Sequence, residues 1–185
     1  MSFARTTAAA ALVAAGCAVF AGCATAPSTR AERDSLRQDA DVTLGQMIAR
    51  DPALKDITRG ALAYAVFPSI GKGGALVGGA YGRGILYETG APTGYVSLEQ
   101  ASIGAQLGGQ SFSELLVLRN SADVEALKDG RFTAGANLGV VVLTAGANAN
   151  ATFDPNASVF ILPQGGLMVD VAIEGQRLKY QRFGA

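Results

Sequence analysis

Short apolar runs separated by glycine-rich turns make up most of the chain between residues 61 and 182. The strand-length runs lie at residues 61–67, 95–100, 115–118, 139–143, 159–162 and 177–182, and residues 167–174 alternate apolar and polar side chains. Such runs are typical of β-strands, and a period of two indicates a strand with one buried face. Pro68 and Pro163 are expected to close two of these strands. The pattern predicts the α+β class, with an antiparallel β-sandwich or barrel-like sheet.

Two helices are predicted before the first strand, packed on the sheet. Thr29 and Glu32 have the spacing of a capping box at the start of the first helix. One apolar stripe at helical spacing runs along it: Leu36, Ala40, Leu44, Met47 and Ile48. Asp51 is predicted to cap a second, short helix that ends near Gly60. A helix on the membrane surface is the less favoured alternative for the first one, because its polar face mixes both signs of charge.

A further brief helix is predicted at residues 121–128. Ser121 is its expected cap, and Gly130 is expected to stop it. No boundary between domains is apparent within residues 29–185, which are interpreted as a single domain.

Composition excludes several classes of function. The 185 residues are 49% hydrophobic and 16% charged, so the chain can bury a core. Lys plus Arg and Asp plus Glu number 15 each, so no net charge attracts nucleic acid. Histidine is absent, which removes the usual general base and the commonest metal ligand. No catalytic residue, cofactor or metal site is predicted, and an enzyme is disfavoured.

The first 22 residues have the pattern of an export signal. Arg5 gives a short positive region, residues 8–20 are apolar, and small residues precede Cys23. A cysteine at that point resembles the lipobox of bacterial lipoproteins, in which the thiol takes a diacylglycerol. We therefore predict a lipoprotein signal peptide at 1–22, lipidation of Cys23 and a tether at 23–28. Cys17 offers a rival box, and an ordinary secretory signal is the remaining alternative.

The resemblance to lipoproteins also implies a location. Ala24 follows the cysteine, and the sorting rules of Gram-negative lipoproteins then imply the outer membrane. The chain is expected to be lipid-anchored in the cell envelope.

A cluster of glycines between residues 71 and 84 fits neither phosphate-loop pattern. Gly74, Gly78 and Gly82 are spaced to lie on one face of a bent strand, where a bare surface admits a neighbouring backbone or a ligand. Ser69 and Lys72 match the S-x-x-K pattern of penicillin-binding enzymes, but the accompanying K-T-G is missing. A serine hydrolase is therefore the weakest functional alternative.

Four basic residues lie beside glycine-rich turns and are the candidate ligand-binding residues: Lys55, Arg59, Lys72 and Arg83. Cations near exposed backbone amides can bind an anionic phosphate headgroup. The alternative is that these residues are scattered solubilising charges.

The order of several short motifs resembles the SYLF family of lipid-binding domains over about residues 40–183. The matching landmarks are Ala65–Pro68, Gly71, Gly73, Gly78–Gly84, Ser102–Gln110, Leu115–Leu118, Phe132, Gly135–Asn137, Gly165–Leu167 and Glu174–Gly175. Eukaryotic members of this family bind phosphoinositides or phosphatidic acid, and some fungal members bind actin. The resemblance implies non-catalytic binding of a membrane lipid, here an anionic phospholipid or lipid A. An envelope protein is the alternative partner, in a structural or adhesion role.

Overall fold

The computed structural model describes residues 24–74, 77–103, 108–134, 139–143, 156–166 and 175–184. The predicted signal peptide, Cys23 and the predicted strand at 167–174 lie outside these ranges. The helices are α1 (Arg30–Arg50), α2 (Leu54–Arg59) and α3 (Ser121–Lys128). The strands are β1 (Ala63–Gly74), β2 (Val77–Glu88), β3 (Ala91–Ile103), β4 (Gly108–Leu118), β5 (Thr133–Ala134), β6 (Gly139–Val142), β7 (Ala157–Gly166) and β8 (Gln176–Arg182).

The described strands form one eight-stranded sheet in the order β5-β8-β3-β2-β1-β4-β7-β6. Neighbouring strands are antiparallel except β6 and β7, which are parallel. The predicted α+β class, with helices on a sheet, is confirmed.

The sheet curls strongly, as in a barrel. The side chain of Gln176 on β8 donates to Glu114 on β4 at 3.2 Å, although three strands separate β8 from β4 in the sheet. In a flat sheet four strand spacings would hold those two strands about 19 Å apart. Five residue steps lead from Ala134 on one edge to Gly139 on the other, and that stretch spans at most about 18 Å. A flat sheet would need roughly 34 Å between its edges.

Each face of the sheet carries its own core. The inward face includes Phe67, Leu116 and Leu178, and Leu127 of α3 packs on this core. The outward face includes Tyr64, Ile85 and Leu115, and it is covered by α1 and α2. The inward and outward faces keep these names below.

Helix α1 begins and packs as its sequence predicts. Thr29 and Glu32 form a full capping box, with hydrogen bonds of 3.1 and 3.2 Å. From the apolar stripe, Ala40 and Met47 are fully buried, while Leu36, Leu44 and Ile48 are partly buried on the outward core. Among the described residues, no helix combines the length and apolarity that a membrane crossing requires.

Pro68 does not end the first strand, contrary to the sequence prediction. β1 continues to Gly74, and its register with both neighbours shifts around Pro68. A bulge tolerates proline because the missing N–H is not needed there. The Pro68 carbonyl accepts hydrogen bonds from Ser113 Oγ at 2.8 Å and Gln164 Nε2 at 2.7 Å. Pro163 likewise lies within β7, next to a register shift against β4.

Two helix caps also differ from the prediction. Asn120, not Ser121, caps α3, and its side chain accepts from the Asp123 N–H at 2.8 Å. Ala53 is the cap of α2, while Asp51 accepts from the Ala53 N–H at 3.0 Å one turn earlier. In both cases the short polar side chain still satisfies a backbone amide near the helix start.

At Gly82 the bare face predicted for the glycine cluster is filled by the domain's own chain. Gly74 lies on β1, whereas Gly78 and Gly82 lie on β2, so the three do not share one strand. A Cβ at Gly82 would lie 2.5 Å from Ile70 Cγ1 and 3.0 Å from the Ser69 carbonyl oxygen. Glycine here permits close strand approach.

Candidate functional site

The four predicted basic residues do not come together. Lys55 and Arg59 are exposed on α2, and Arg59 pairs with Asp56 at 2.8 Å. Arg83 lies near the first turn of α1, and Lys55 and Arg59 follow its last. A helix of 21 residues is about 30 Å long.

Lys72 is turned to the other face of the sheet. It lies opposite Ala80 and Gln110, on the inward face, and only 5% of it is exposed. Ser69 lies opposite Arg83 on the outward face and is exposed. Ser69 and Lys72 therefore do not form the pair that a serine hydrolase of this type requires, because the sheet lies between them.

Arg83 binds the chain segment that follows Cys23. Its Nε donates to the Ala24 carbonyl oxygen at 3.1 Å and to the Tyr81 hydroxyl at 2.9 Å. Next to it, on β3, Ser97 shares a hydrogen bond of 3.3 Å with Thr25, and the Ala26 side chain is buried in the outward core. Residues 24–26 are therefore docked on β2 and β3.

An arginine-rich pocket of about 340 Å³ lies beside this docked segment, and Ala26 is part of its wall. We call it the arginine pocket. Among the described residues, its lining includes Arg30, Arg33 and Arg37 from α1, Arg182 from β8 and the carboxylate of Asp34. Arg30 and Asp34 are 3.9 Å apart, but both are largely exposed, so water screens their attraction. The lining therefore keeps a positive excess.

Arg37 has the most constrained guanidinium in the pocket. Its Cζ lies 4.1 Å from the ring centre of Phe183 and 6.0 Å from that of Tyr95. Such cation–π contacts hold a guanidinium flat against the ring and leave its N–H groups directed along the plane. Arg37 Nε is buried and has no hydrogen-bond partner among the described residues. An unsatisfied charged donor favours an acceptor of negative charge.

Arg33 binds the tether at the side of the pocket. Its Nε donates to the Pro27 carbonyl oxygen at 2.8 Å, and a terminal nitrogen lies 3.5 Å from the Ser28 carbonyl oxygen. Because these bonds are to neutral carbonyls, the charge of Arg33 is not cancelled. The arrangement can bind an anion.

The carboxylate of Glu32 lies on the side of the first turn of α1 that faces Arg83. The backbone N–H of Thr29 donates to this carboxylate and lowers its pKa, and the charge of Arg83 contributes to the same direction. Arg83 and Glu32 line a second, shallower cleft next to Pro27. Among the described residues no three histidine, cysteine or acidic side chains are grouped as a metal site requires.

The arginine pocket was not predicted from the sequence. Arg30, Arg33 and Arg37 have i, i+3, i+7 spacing, which places them on one face of a helix. This spacing is visible in the sequence, but the acidic residues around these arginines obscure the pattern of positive charge. Arg182 comes near them only because β8 pairs with β3, and its alternation with Leu178 places its side chain on the inward face, where it also lines a cleft with Glu88.

Comparison with known proteins gives a family match for part of the chain. Residues 99–182, from the second half of β3 to the end of β8, match the model of the family described as Las17-binding protein actin regulator, or Ysc84. Residues 99–182 are therefore similar to the SYLF family. The resemblance predicted from the sequence is confirmed. Arg182 is the last residue of this SYLF match, while the three arginines of α1 lie outside it.

One curated relative extends the similarity toward the amino terminus. The chain is 25% identical to beta cell expansion factor A from Aeromonas veronii over 154 aligned residues. The alignment covers 82% of this chain. The chain spans 58% of the length of that relative.

Proposed function

We propose that the protein is a bacterial lipoprotein, acylated on Cys23, whose SYLF domain binds anionic lipid headgroups without catalysis. The observation that carries the proposal is the arginine pocket: Arg30, Arg33 and Arg37 of α1 line it together with Arg182, beside the docked residues that follow Cys23. Guanidinium groups bind phosphate through paired hydrogen bonds. The ligand is an anionic phospholipid or lipid A, and the location is the outer membrane of a Gram-negative envelope.

Docking of the tether supports a fixed orientation on the membrane. Ala24 is bonded to Arg83, and the next Cα along a chain is about 3.8 Å away. A lipid on Cys23 therefore leaves the domain next to Tyr81 and Arg83. The arginine pocket lies on the same side, so an acyl anchor holds it at high effective concentration over headgroups.

Vesicle binding tests the headgroup proposal. The protein is prepared without residues 1–22 and with Cys23→Ser, and it is sedimented with phosphatidylglycerol or phosphatidylcholine vesicles. We expect binding to the anionic vesicles only, and the double variant R30Q/R37Q should lose most of it. The matched control is K55Q/R59Q, which removes the same charge from α2 and should bind as before. Equal binding to both vesicle types, or equal loss in both double variants, would contradict the proposal.

Labelling of cells with a palmitate analogue tests the anchor. We expect label on the full chain and on Cys17→Ser, and none on Cys23→Ser. Label on Cys23→Ser but not on Cys17→Ser would move the anchor to the rival box.

A protein partner is the second candidate, because the description of the matching family names binding of another protein, Las17. In that reading the domain serves as a structural or adhesion protein of the envelope. Crosslinking of the protein to one envelope protein, without any lipid selectivity in the vesicle assay, would favour it.

A further inference from the structure

A carboxyl group lies inside the curled sheet with no counter-ion among the described residues. Glu114 is fully buried on the inward face of β4. Its neighbours across the strands are Phe67 on β1 and Ile161 on β7, both fully buried and apolar. Along β4 itself the inward neighbours are Phe112 and Leu116. An ionised carboxylate in such surroundings is costly.

The partner of Glu114 is an amide that is equally buried. Gln176 Nε2 donates to Glu114 Oε2 at 3.2 Å, and Gln176 is fully buried. The remaining oxygens, Glu114 Oε1 and Gln176 Oε1, have no hydrogen-bond partner among the described residues. If the carboxyl is ionised, both of these oxygens are acceptors, and neither has a donor.

We propose that Glu114 and Gln176 form a proton-dependent clasp between β4 and β8. Glu114 takes one proton from solvent at Oε1 and donates it in a hydrogen bond to Gln176 Oε1, while Gln176 Nε2 donates to Glu114 Oε2. One proton then satisfies both orphaned oxygens and removes the buried charge. The clasp binds two strands that are not neighbours in the sheet, so it holds the curl closed.

The other titratable groups on the inward face lie several residues away from Glu114 and Gln176. Lys72 on β1 lies opposite Gln110, four residues along β4 from Glu114, and Tyr180 lies four residues along β8 from Gln176. From α3 the apolar side chains Val124, Ala126 and Leu127 pack on this core, and Lys128 pairs with Glu88, which lies opposite Ala63, four residues along β1 from Phe67. Arg182 lies six residues along β8 from Gln176. On β7 the inward residues Ala157, Val159 and Ile161 are apolar as well.

The direction of the pH dependence follows from burial. Burial raises the pKa of Glu114 to about 7 from the ordinary 4.5, and the hydrogen bond from Gln176 lowers it only in part. The folded state therefore holds a proton that the unfolded state has lost between these values. The clasp contributes its full stability below pH 4.5, and that stability is lost as the pH rises through about 7. The unfolding equilibrium constant should rise on the order of a hundredfold across this range.

Denaturant titration of the purified protein at several pH values tests the clasp. In the variant E114Q the new amide donates to Gln176 Oε1 and accepts from Gln176 Nε2, so the ring needs no proton. We expect the wild-type midpoint to fall between pH 4.5 and 7, and that of E114Q to stay level and to exceed wild type at higher pH. E125Q, which changes an exposed glutamate on α3, should keep the wild-type slope. An unchanged slope in E114Q would overturn the proposal.

Infrared spectroscopy gives a second readout that does not depend on the folding of E114Q. The wild-type protein at pH 6 should show the carbonyl band of a protonated carboxylic acid, because exposed carboxyl groups are ionised there. The band should disappear as the pH is raised, and Gln176→Leu should shift it by removing its hydrogen-bond partner. Absence of the band at pH 6 would mean that Glu114 is ionised and that the clasp does not exist.

Discussion

A single arginine links the core of the protein to the proposed site. Arg37 lies over the ring of Phe183, which is itself packed on the outward core, and Tyr95 makes an edge contact with the same ring. The ring contacts hold the guanidinium, and its Nε is buried without a hydrogen-bond partner among the described residues. Lysine cannot replace this group, because an ammonium neither stacks flat nor presents paired donors.

Replacing Arg37 should weaken binding to anionic vesicles. R37Q and R37K should both lose roughly ten- to a hundredfold in affinity, since a hydrogen bond to a charged group contributes about 1.5 to 3 kcal/mol. Sedimentation with phosphatidylglycerol vesicles measures the change. R50Q removes an equal charge from the last turn of the same helix and should bind normally. Equal loss in R50Q would indicate that only the net charge of the helix matters.

At the level of elements, the bulge in β1 and the glycines of β2 depend on each other. The bulge brings the β1 backbone close to β2, where a Cβ at Gly84 would lie 2.9 Å from Phe67 Cδ1 and closer still to the Val66 carbonyl oxygen. The space for a side chain at this position is already taken by the neighbouring strand. The close packing of the two strands therefore requires glycine on β2.

The variant G84A should destabilise the fold by about 1 to 3 kcal/mol, as overpacked positions do. Gly71 lies nearby on β1, is exposed, and has no atom within 4 Å of a Cβ placed there. G71A should therefore change stability by less than about 0.5 kcal/mol. Urea denaturation gives both free energies of unfolding. If G84A were as stable as G71A, the strands would have room that the structure does not contain.

Local signals in the sequence predicted the elements well. The capping box and the apolar stripe of α1 involve residues within four positions of each other, and the structure contains both. Pro68 was misread because a strand end and a bulge remove the same hydrogen bond. Only the partners of β1 distinguish them: Ser113 and Gln164 bind the Pro68 carbonyl from distant parts of the chain.

At the level of the whole molecule, the site depends on contacts that no local pattern encodes. Arg182 reaches the arginines of α1 through the pairing of β8 with β3, about 85 residues apart in sequence. Arg83 and Lys72 belong to one predicted group of ligand-binding residues, but they lie on opposite faces of the sheet, and Arg83 is bonded to Ala24 of the tether. The face that a β1 residue after Pro68 occupies can be counted from the alternation of side chains only if the bulge at Pro68 is known.

Salt should separate the two proposed sources of membrane affinity. Raising the ionic strength from physiological to about 1 M shortens the Debye length from about 8 to about 3 Å, so contacts between arginines and headgroups weaken. The buried acyl chains of a lipidated Cys23 are not screened. In washed cell membranes we expect the wild-type protein to remain bound and Cys23→Ser to be released. Release of the wild-type protein would contradict lipid anchoring.

The docked tether also limits how far the protein can reach. The hydrogen bonds at Ala24, Thr25 and Pro27 leave no free linker between the domain and the residue at which the lipid is proposed. A lipoprotein on a long linker can sample targets tens of ångströms above its membrane. This domain would instead lie flat on the leaflet that holds its lipid, with little freedom to rotate. Its ligands would then come from that leaflet, or from molecules that approach it.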